Sequence, residues 1–173
     1  GGRGKTAATT KQEDFVEKLF VANSHETLLC FSNLGKVFWL KVYQLPQGSR
    51  TARGKPLVNL LPLTDGEKIT TVLPIKEFNK NNFVVMATAK GLIKKTELSN
   101  FSRPRPSGII AVGLGDDDYL IGAILTSGEN EIMLVSSQGK AVKFSERNVR
   151  SMGRSARGVR GILLEGSAKN IAL

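Results

Sequence analysis

Short apolar segments recur along the chain: TLLCFS at 27–32, KVFWLKV at 36–42, KITTVLPI at 68–75, FVVMATA at 83–89, LIKKTEL at 92–98, YLIGAILT at 119–126, EIMLVSS at 131–137 and AVKF at 141–144. They are rich in Val, Ile and Leu and are bounded by Gly, Asn, Ser or Asp, which is the punctuation of strands and hairpins. Little of the sequence keeps a 3.6-residue apolar period long enough for a helix. The expected class is all-β.

Aligned on their glycines, the segments reveal a repeat. An apolar strand enters a turn that ends in glycine and leaves as a lysine-bearing strand in CFSNLGKVFWLK, MATAKGLIKK and LVSSQGKAVK, with the glycines at Gly35, Gly91 and Gly139. Each is followed by a second glycine inside a basic loop: SRTARGK around Gly54, SRPRPSG at Gly108 and RSARGVRG around Gly158. The opening GGRGK supplies a fourth such loop at Gly4. A unit of this length with four strands suits a propeller-like array, in which one small sheet cannot bury both faces and stacks on its neighbours. A little over three units are present, and a sequence opening on Gly-Gly-Arg-Gly reads as a piece of a longer chain.

Charge follows the same register. The 173 residues carry 25 Lys and Arg against 15 Asp and Glu, a net charge of +10, which points to an anionic partner, nucleic acid first. Acidic residues recur beyond each basic loop: Glu13 and Asp14, then Asp65 and Glu67, then Asp116, Asp117 and Asp118, then Glu165. The expectation is a positive belt on one rim, with acidic turns elsewhere that repel nucleic acid from the other surfaces.

Loops of Arg, Gly and Ser suit phosphate, since guanidinium forks grip its oxygens and glycine lets backbone N–H groups approach. Lys36, Lys41, Lys94, Lys95, Lys140 and Lys143, on the strands after the glycine turns, would widen the belt. No recognition helix and few groove-reading Asn or Gln residues accompany them, so backbone is gripped with little sequence preference. Trp39, Phe38, Phe83, Phe101 and Phe144 sit on or beside apolar strands and are assigned to core packing rather than base stacking.

Other chemistry finds little support. Cys30 lies in an apolar run and reads as a buried small hydrophobe, while His25 has no partner for catalysis or zinc. GGRGKT lacks the spacing and the preceding strand of a nucleotide-binding loop. No run of eighteen apolar residues and no signal-peptide core occurs, so a membrane role is not expected.

GGRGK, then KQEDFVEKLFVANSHETLLCFSNLGKVFWLKVYQLPQGSRTARGKPLVNLLPL, MATAKGLIKKTELSNFSRPR and GKAVKFSERNVRSMGRSARGVRGI closely resemble the C-terminal domain of bacterial DNA gyrase A, across essentially the whole chain. Gly1, Gly2, Arg3 and Gly4 match the last four positions of the box Gln-Arg-Arg-Gly-Gly-Arg-Gly that distinguishes gyrase from topoisomerase IV. The resemblance implies a β-pinwheel, a six-bladed propeller-like ring of four-stranded blades in which a strand of each blade is exchanged with its neighbour. The chain would be a single partial domain over 1–173, holding about three and a third repeats. These are the end of the first blade with the box remnant at 1–25, then repeats at 26–80, 81–129 and 130–173.

The resemblance further implies that the domain wraps duplex DNA and delivers a segment to the gyrase cleavage core for ATP-dependent negative supercoiling. Partners would be double-stranded DNA, the N-terminal region of gyrase A, and gyrase B, in a heterotetramer within the bacterial cytoplasm and associated with the nucleoid. No catalytic residue, metal or cofactor is expected in this chain, because ATP and magnesium belong to the rest of the holoenzyme, and Tyr43 and Tyr119 read as structural. First-rank DNA contacts are Arg3, Lys5, Arg50, Arg53, Lys55, Arg103, Arg105, Arg154, Arg157 and Arg160; second-rank contacts are Lys36, Lys94, Lys140, Lys143, Arg147 and Arg150. The alternatives are the corresponding domain of topoisomerase IV and a propeller scaffold that binds an acidic protein; a sugar-processing propeller would need paired carboxylates in a pocket.

Overall fold

A computed structural model describes residues 26–41, 60–162 and 170–172, the last three by backbone alone. The strands are β1 Thr27–Ser32, β2 Lys36–Lys41, β3 Ile69–Ile75, β4 Phe83–Thr88, β5 Leu92–Glu97, β6 Ile109–Ile110, β7 Leu120–Thr126, β8 Glu131–Ser136, β9 Ala141–Ser145, β10 Val159–Arg160 and β11 Asn170–Ala172. Every apolar segment picked out by its punctuation is a strand. No helix among the described residues is long and apolar enough to cross a membrane.

The three hairpin turns among the described residues are built alike. In each, the glycine N–H donates to the carbonyl three residues back, at 3.1 Å from Gly35 to Ser32, from Gly91 to Thr88 and from Gly139 to Ser136. The hydroxyl of that Ser32, Thr88 or Ser136 also accepts from the backbone N–H four residues on, at Lys36, Leu92 and Lys140. The repeat therefore holds at the level of single hydrogen bonds.

The sheets are antiparallel, ordered β3-β1-β2-β6, β10-β5-β4-β7 and, among the described residues, β11-β8-β9. β6 follows the β4–β5 hairpin in sequence yet pairs with β2, placing Val37 opposite Ile109. β10 follows β8–β9 and pairs with β5, placing Ile93 opposite Val159. Each of these sheets thus receives its outer strand from the next repeat, the exchange that the resemblance implied.

Stacking explains why β1 and β4 are continuous apolar runs, since each is buried on both faces. Leu29 and Phe31 of β1 pack with Val84 and Met86 of β4, while Leu28 and Cys30 face Phe38, Leu40 and Val72. Val85 and Ala87 on the other face of β4 meet Ile132 and Leu134 of β8. Each such Leu, Ile, Val, Met or Phe side chain contributes about 1.5–3 kcal/mol by burial. β8 differs, because Glu131 and Met133 are exposed and its sheet is covered on one face among the described residues.

The aromatic residues act as core. Phe38 and Phe101 are buried, Phe31 meets Phe101 edge-on at 6.0 Å, and Trp39 Nε1 donates to Phe101 O at 2.8 Å across the first two sheets. β3 and β7 adjoin, with Ala123 N–H donating to Thr71 Oγ1 at 3.2 Å, while β6 and β10 occupy the opposite edges of their sheets. The segments that lead into β6 and β10 are the basic loops, which fixes those loops at the edges remote from β3 and β7.

Candidate nucleic-acid interface

Each of the two basic loops among the described residues leaves the second strand of a hairpin through a short 3-10 turn, Leu98–Phe101 after β5 and Glu146–Asn148 after β9, before crossing to the preceding sheet. The first turn is anchored by buried Leu98 and Phe101, the second by buried Glu146. The loops end at Gly108 and Gly158, and both glycines have positive φ, +76° and +92°. A Cβ at Gly158 would stand 2.4 Å from Ile93 O, and one at Gly108 would stand 2.7 Å from the Phe38 ring. These two glycines therefore serve the close approach to the sheet that accepts the exchanged strand.

That docking sets out the arginines. Arg103 and Arg105, from the loop before β6, are exposed, and Arg154, from the loop before β10, is half-buried. With Ser99, Asn100 and Ser102 they line one cleft of about 280 Å³. Arg157 is exposed and lies along Gly113, whose N–H donates to Ala156 O at 3.0 Å. Arg160 sits on β10, exposed, opposite Leu92, and Arg150 is exposed as well. Among the described residues the ion pairs are Lys95–Glu146, Lys143–Glu131 and Arg147–Glu129, so none of these six arginines is committed to a carboxylate there.

Gly1, Gly2, Arg3, Gly4, Lys5, Arg50, Arg53 and Lys55 lie outside the described residues, as do Glu13, Asp14 and Glu165. Of the second rank, Lys140 is exposed, and Lys36 is half-buried with its ammonium 5.5 Å from the Phe38 ring centre. Lys143 and Arg147 are exposed but meet Glu131 and Glu129 at 2.8 and 2.7 Å. The hydrogen bond and charge of Glu131 hold the Lys143 pKa above its ordinary value. Such surface pairs are weak, so both cations remain open to exchange for phosphate.

Lys94 overturns its assignment to the belt. It is 1% exposed, and its Nζ donates to Ala111 O at 2.7 Å and to Arg154 O. Burial, with the charge of Arg154 adding to it, lowers its pKa to about 7. Lys95 is also drawn inward, 4.7 Å from the Phe83 ring centre, 3.6 Å from Glu146 Oε1 and donating to Glu146 O at 3.1 Å. A lysine on a strand faces a rim or a neighbouring sheet according to what is stacked there, and spacing alone does not distinguish the two.

The acidic turns need a similar correction. Glu67 is buried, taking Ser32 Oγ at 2.6 Å and Thr64 N–H at 3.0 Å, so it ties a turn to the hairpin rather than charging the surface. Asp118 Oδ1 accepts from the backbone N–H groups of Lys90 and Tyr119, each at 2.9 Å, while Asp116 and Asp117 are exposed. Glu146, not singled out in the sequence, is fully buried and accepts from Thr126 Oγ1 and Asn130 N–H at 2.9 and 2.7 Å. Ser99, Asn100 and Ser102 also join the cleft unannounced, their one signal being polar residues placed just before the arginines. Cys30 is buried as expected, and its surroundings push the thiol pKa up to about 12.

The family model for the DNA gyrase C-terminal domain, described as a beta-propeller, matches residues 1–23, 26–76, 82–127 and 130–173. The chain belongs to this family. It is 60% identical to the DNA gyrase A protein of Haemophilus influenzae over 95% of its own length, and 53% identical to that of Escherichia coli over all of it. It spans 19% and 20% of those two relatives, about a fifth of the length of the curated relatives it matches. Among solved structures it is similar to the C-terminal domain of DNA topoisomerase IV, with 32% identity and a TM-score of 0.76, and to the DNA gyrase A C-terminal domain, with 26% identity and a TM-score of 0.71. Each likeness covers 87% of this chain and 47% of the other. The all-β gyrase-family domain is thus established, and its strand exchange places basic loops from successive repeats side by side.

Proposed function

We propose that this gyrase-family domain binds duplex DNA along the outer edges of its sheets and wraps it without reading base sequence, presenting a segment to the cleavage core of gyrase for ATP-dependent negative supercoiling. The observation that carries this reading is the cleft in which Arg103 and Arg105 of one loop meet Arg154 of the next, with no carboxylate paired to any of them among the described residues. Guanidinium forks in that arrangement donate to the phosphate oxygens of a continuous backbone and carry no base information. Loops repeated at one edge of adjacent sheets hold a duplex at several points, which favours a bent path over a single contact.

On this reading the chain shapes DNA while strand passage is performed elsewhere in the assembly, by the N-terminal region of gyrase A and by gyrase B with ATP and magnesium, in the bacterial cytoplasm. Duplex affinity measured by fluorescence anisotropy against salt is the test. Each neutralised phosphate adds about −0.9 to the log–log slope, so the exposed or half-exposed loop arginines at 103, 105, 154, 157 and 160 together give roughly −4 to −5. A slope near zero would refute DNA binding by the rim. Charge reversal at Arg105 and Arg157 that left DNA affinity intact would instead favour a scaffold for an acidic protein.

A further inference from the structure

Lys94 occupies the third position after the turn glycine of its hairpin, where the other two described hairpins have Phe38 and Val142. A buried amine at a position that elsewhere holds an apolar side chain is costly unless hydrogen bonds satisfy it. Its two acceptors come from different segments: Ala111, just beyond the exchanged strand β6, and Arg154, in the loop that leads to β10. The same loop is laid on β5 at two backbone points, with Met152 N–H donating to Lys95 O at 2.7 Å and Gly158 pressed against Ile93 O. Lys94 supplies a side-chain clamp between them, at a residue that lines the cleft.

We infer that Lys94 is a positioning residue for DNA binding: it pins the main chain at Arg154 so that Arg154 joins Arg103 and Arg105 of the preceding repeat in one phosphodiester site at the junction of two repeats. The unit that grips DNA is then the junction, and the single loop is only half of it. A preformed cluster loses less conformational freedom on meeting phosphate than three independent side chains, so the clamp converts loop charge into affinity. This inference rests on the DNA-binding reading above and deepens it.

A double-mutant cycle on the whole 173-residue chain tests it, with duplex affinity read across a salt series. Arg154→Ala is expected to weaken binding roughly tenfold and to reduce the salt slope by about 0.9. Lys94→Met, of similar length but without a donor, is expected to give a loss of roughly five- to tenfold and the same reduction in slope, and the double variant should fall no more than about twofold below the weaker single one. Lys94→Met combined with Arg160→Ala should instead show additive losses. General destabilisation by Lys94→Met does not produce coupling confined to Arg154.

Additive losses for Lys94 and Arg154, or a folded Lys94→Met that binds like the parent, overturn the inference. If Lys94→Met does not fold, the cycle between Arg103→Ala and Arg154→Ala decides, because it leaves the core intact. Residues that share one phosphate are coupled there, and independent loops give additivity that overturns the shared site. A parent slope near zero would refute the DNA-binding reading itself, which separates the two failures.

Discussion

Adjacent lysines on β5 both leave the rim for the interior, and the difference between their partners matters. Lys95 is neutralised by a carboxylate, whereas Lys94 is held by two carbonyl dipoles beside the like charge of Arg154. Burial, with the like charge of Arg154 adding to it, lowers its pKa to about 7 in the folded chain, against an ordinary 10.5. Between those values the unfolded chain binds more protons than the folded one, so the contribution of Lys94 to stability rises with pH from about 7 to about 10.5 and is flat below. The neutral amine keeps two N–H donors, enough for both carbonyls, so the clamp persists as the charge leaves. Thermal melts at about pH 6.5 and about pH 9 should show a larger gain in the parent than in Lys94→Met, and equal gains would assign the effect to another group. None of this was legible in LIKKTEL, where two lysines in succession present one to each face of a strand and both faces happen to be covered.

At the scale of elements, the turns were readable because their hydrogen bonds are local: a hydroxyl residue, two spacers and a glycine suffice to close each hairpin. What the glycines meet beyond the turn was not readable. Gly35, with φ +80°, would place a Cβ 2.6 Å from Val112 O, whereas Gly139, with φ +83°, faces nothing within 4 Å. Gly139→Ala should cost about 1 kcal/mol, the penalty of a left-handed backbone alone. Gly35→Ala should cost at least about 2 kcal/mol more by chemical denaturation, since a carbonyl of the exchanged segment must also move. Equal losses would mean that the junction yields more easily than its close contacts suggest. The basic loops were likewise recognised as charge but not as partners, because SRPRPSG and RSMGRSARG lie about 50 residues apart and meet only through the exchange of β6 and β10.

Across the whole molecule, exchange links each sheet to the next both by packing and by chain connection, so a bent DNA would be held by a frame whose blades do not slide independently. If the rim wraps DNA, ligation of nicked plasmid in the presence of the chain should leave a linking-number shift that grows with protein. The resemblance implies that the shift is positive. Reversal to glutamate at Arg105 and Arg157 together should abolish it, since an anion from each of two neighbouring loops would then face phosphate. Salt-sensitive binding without any shift would mean that the chain holds DNA and does not bend it.

Sequence alone determined the strands, their turns, the period of the repeat and the excess of positive charge in the loops, because each of these depends on residues a few positions apart. Its closeness to gyrase relatives was legible for the same reason. Tertiary structure alone decided that Lys94, Lys95 and Glu67 are interior, that Gly108 and Gly158 serve chain crossing, and that arginines from different loops share a cleft. Those outcomes depend on which sheet covers which face, and stacking and strand exchange bring together residues that no local pattern connects.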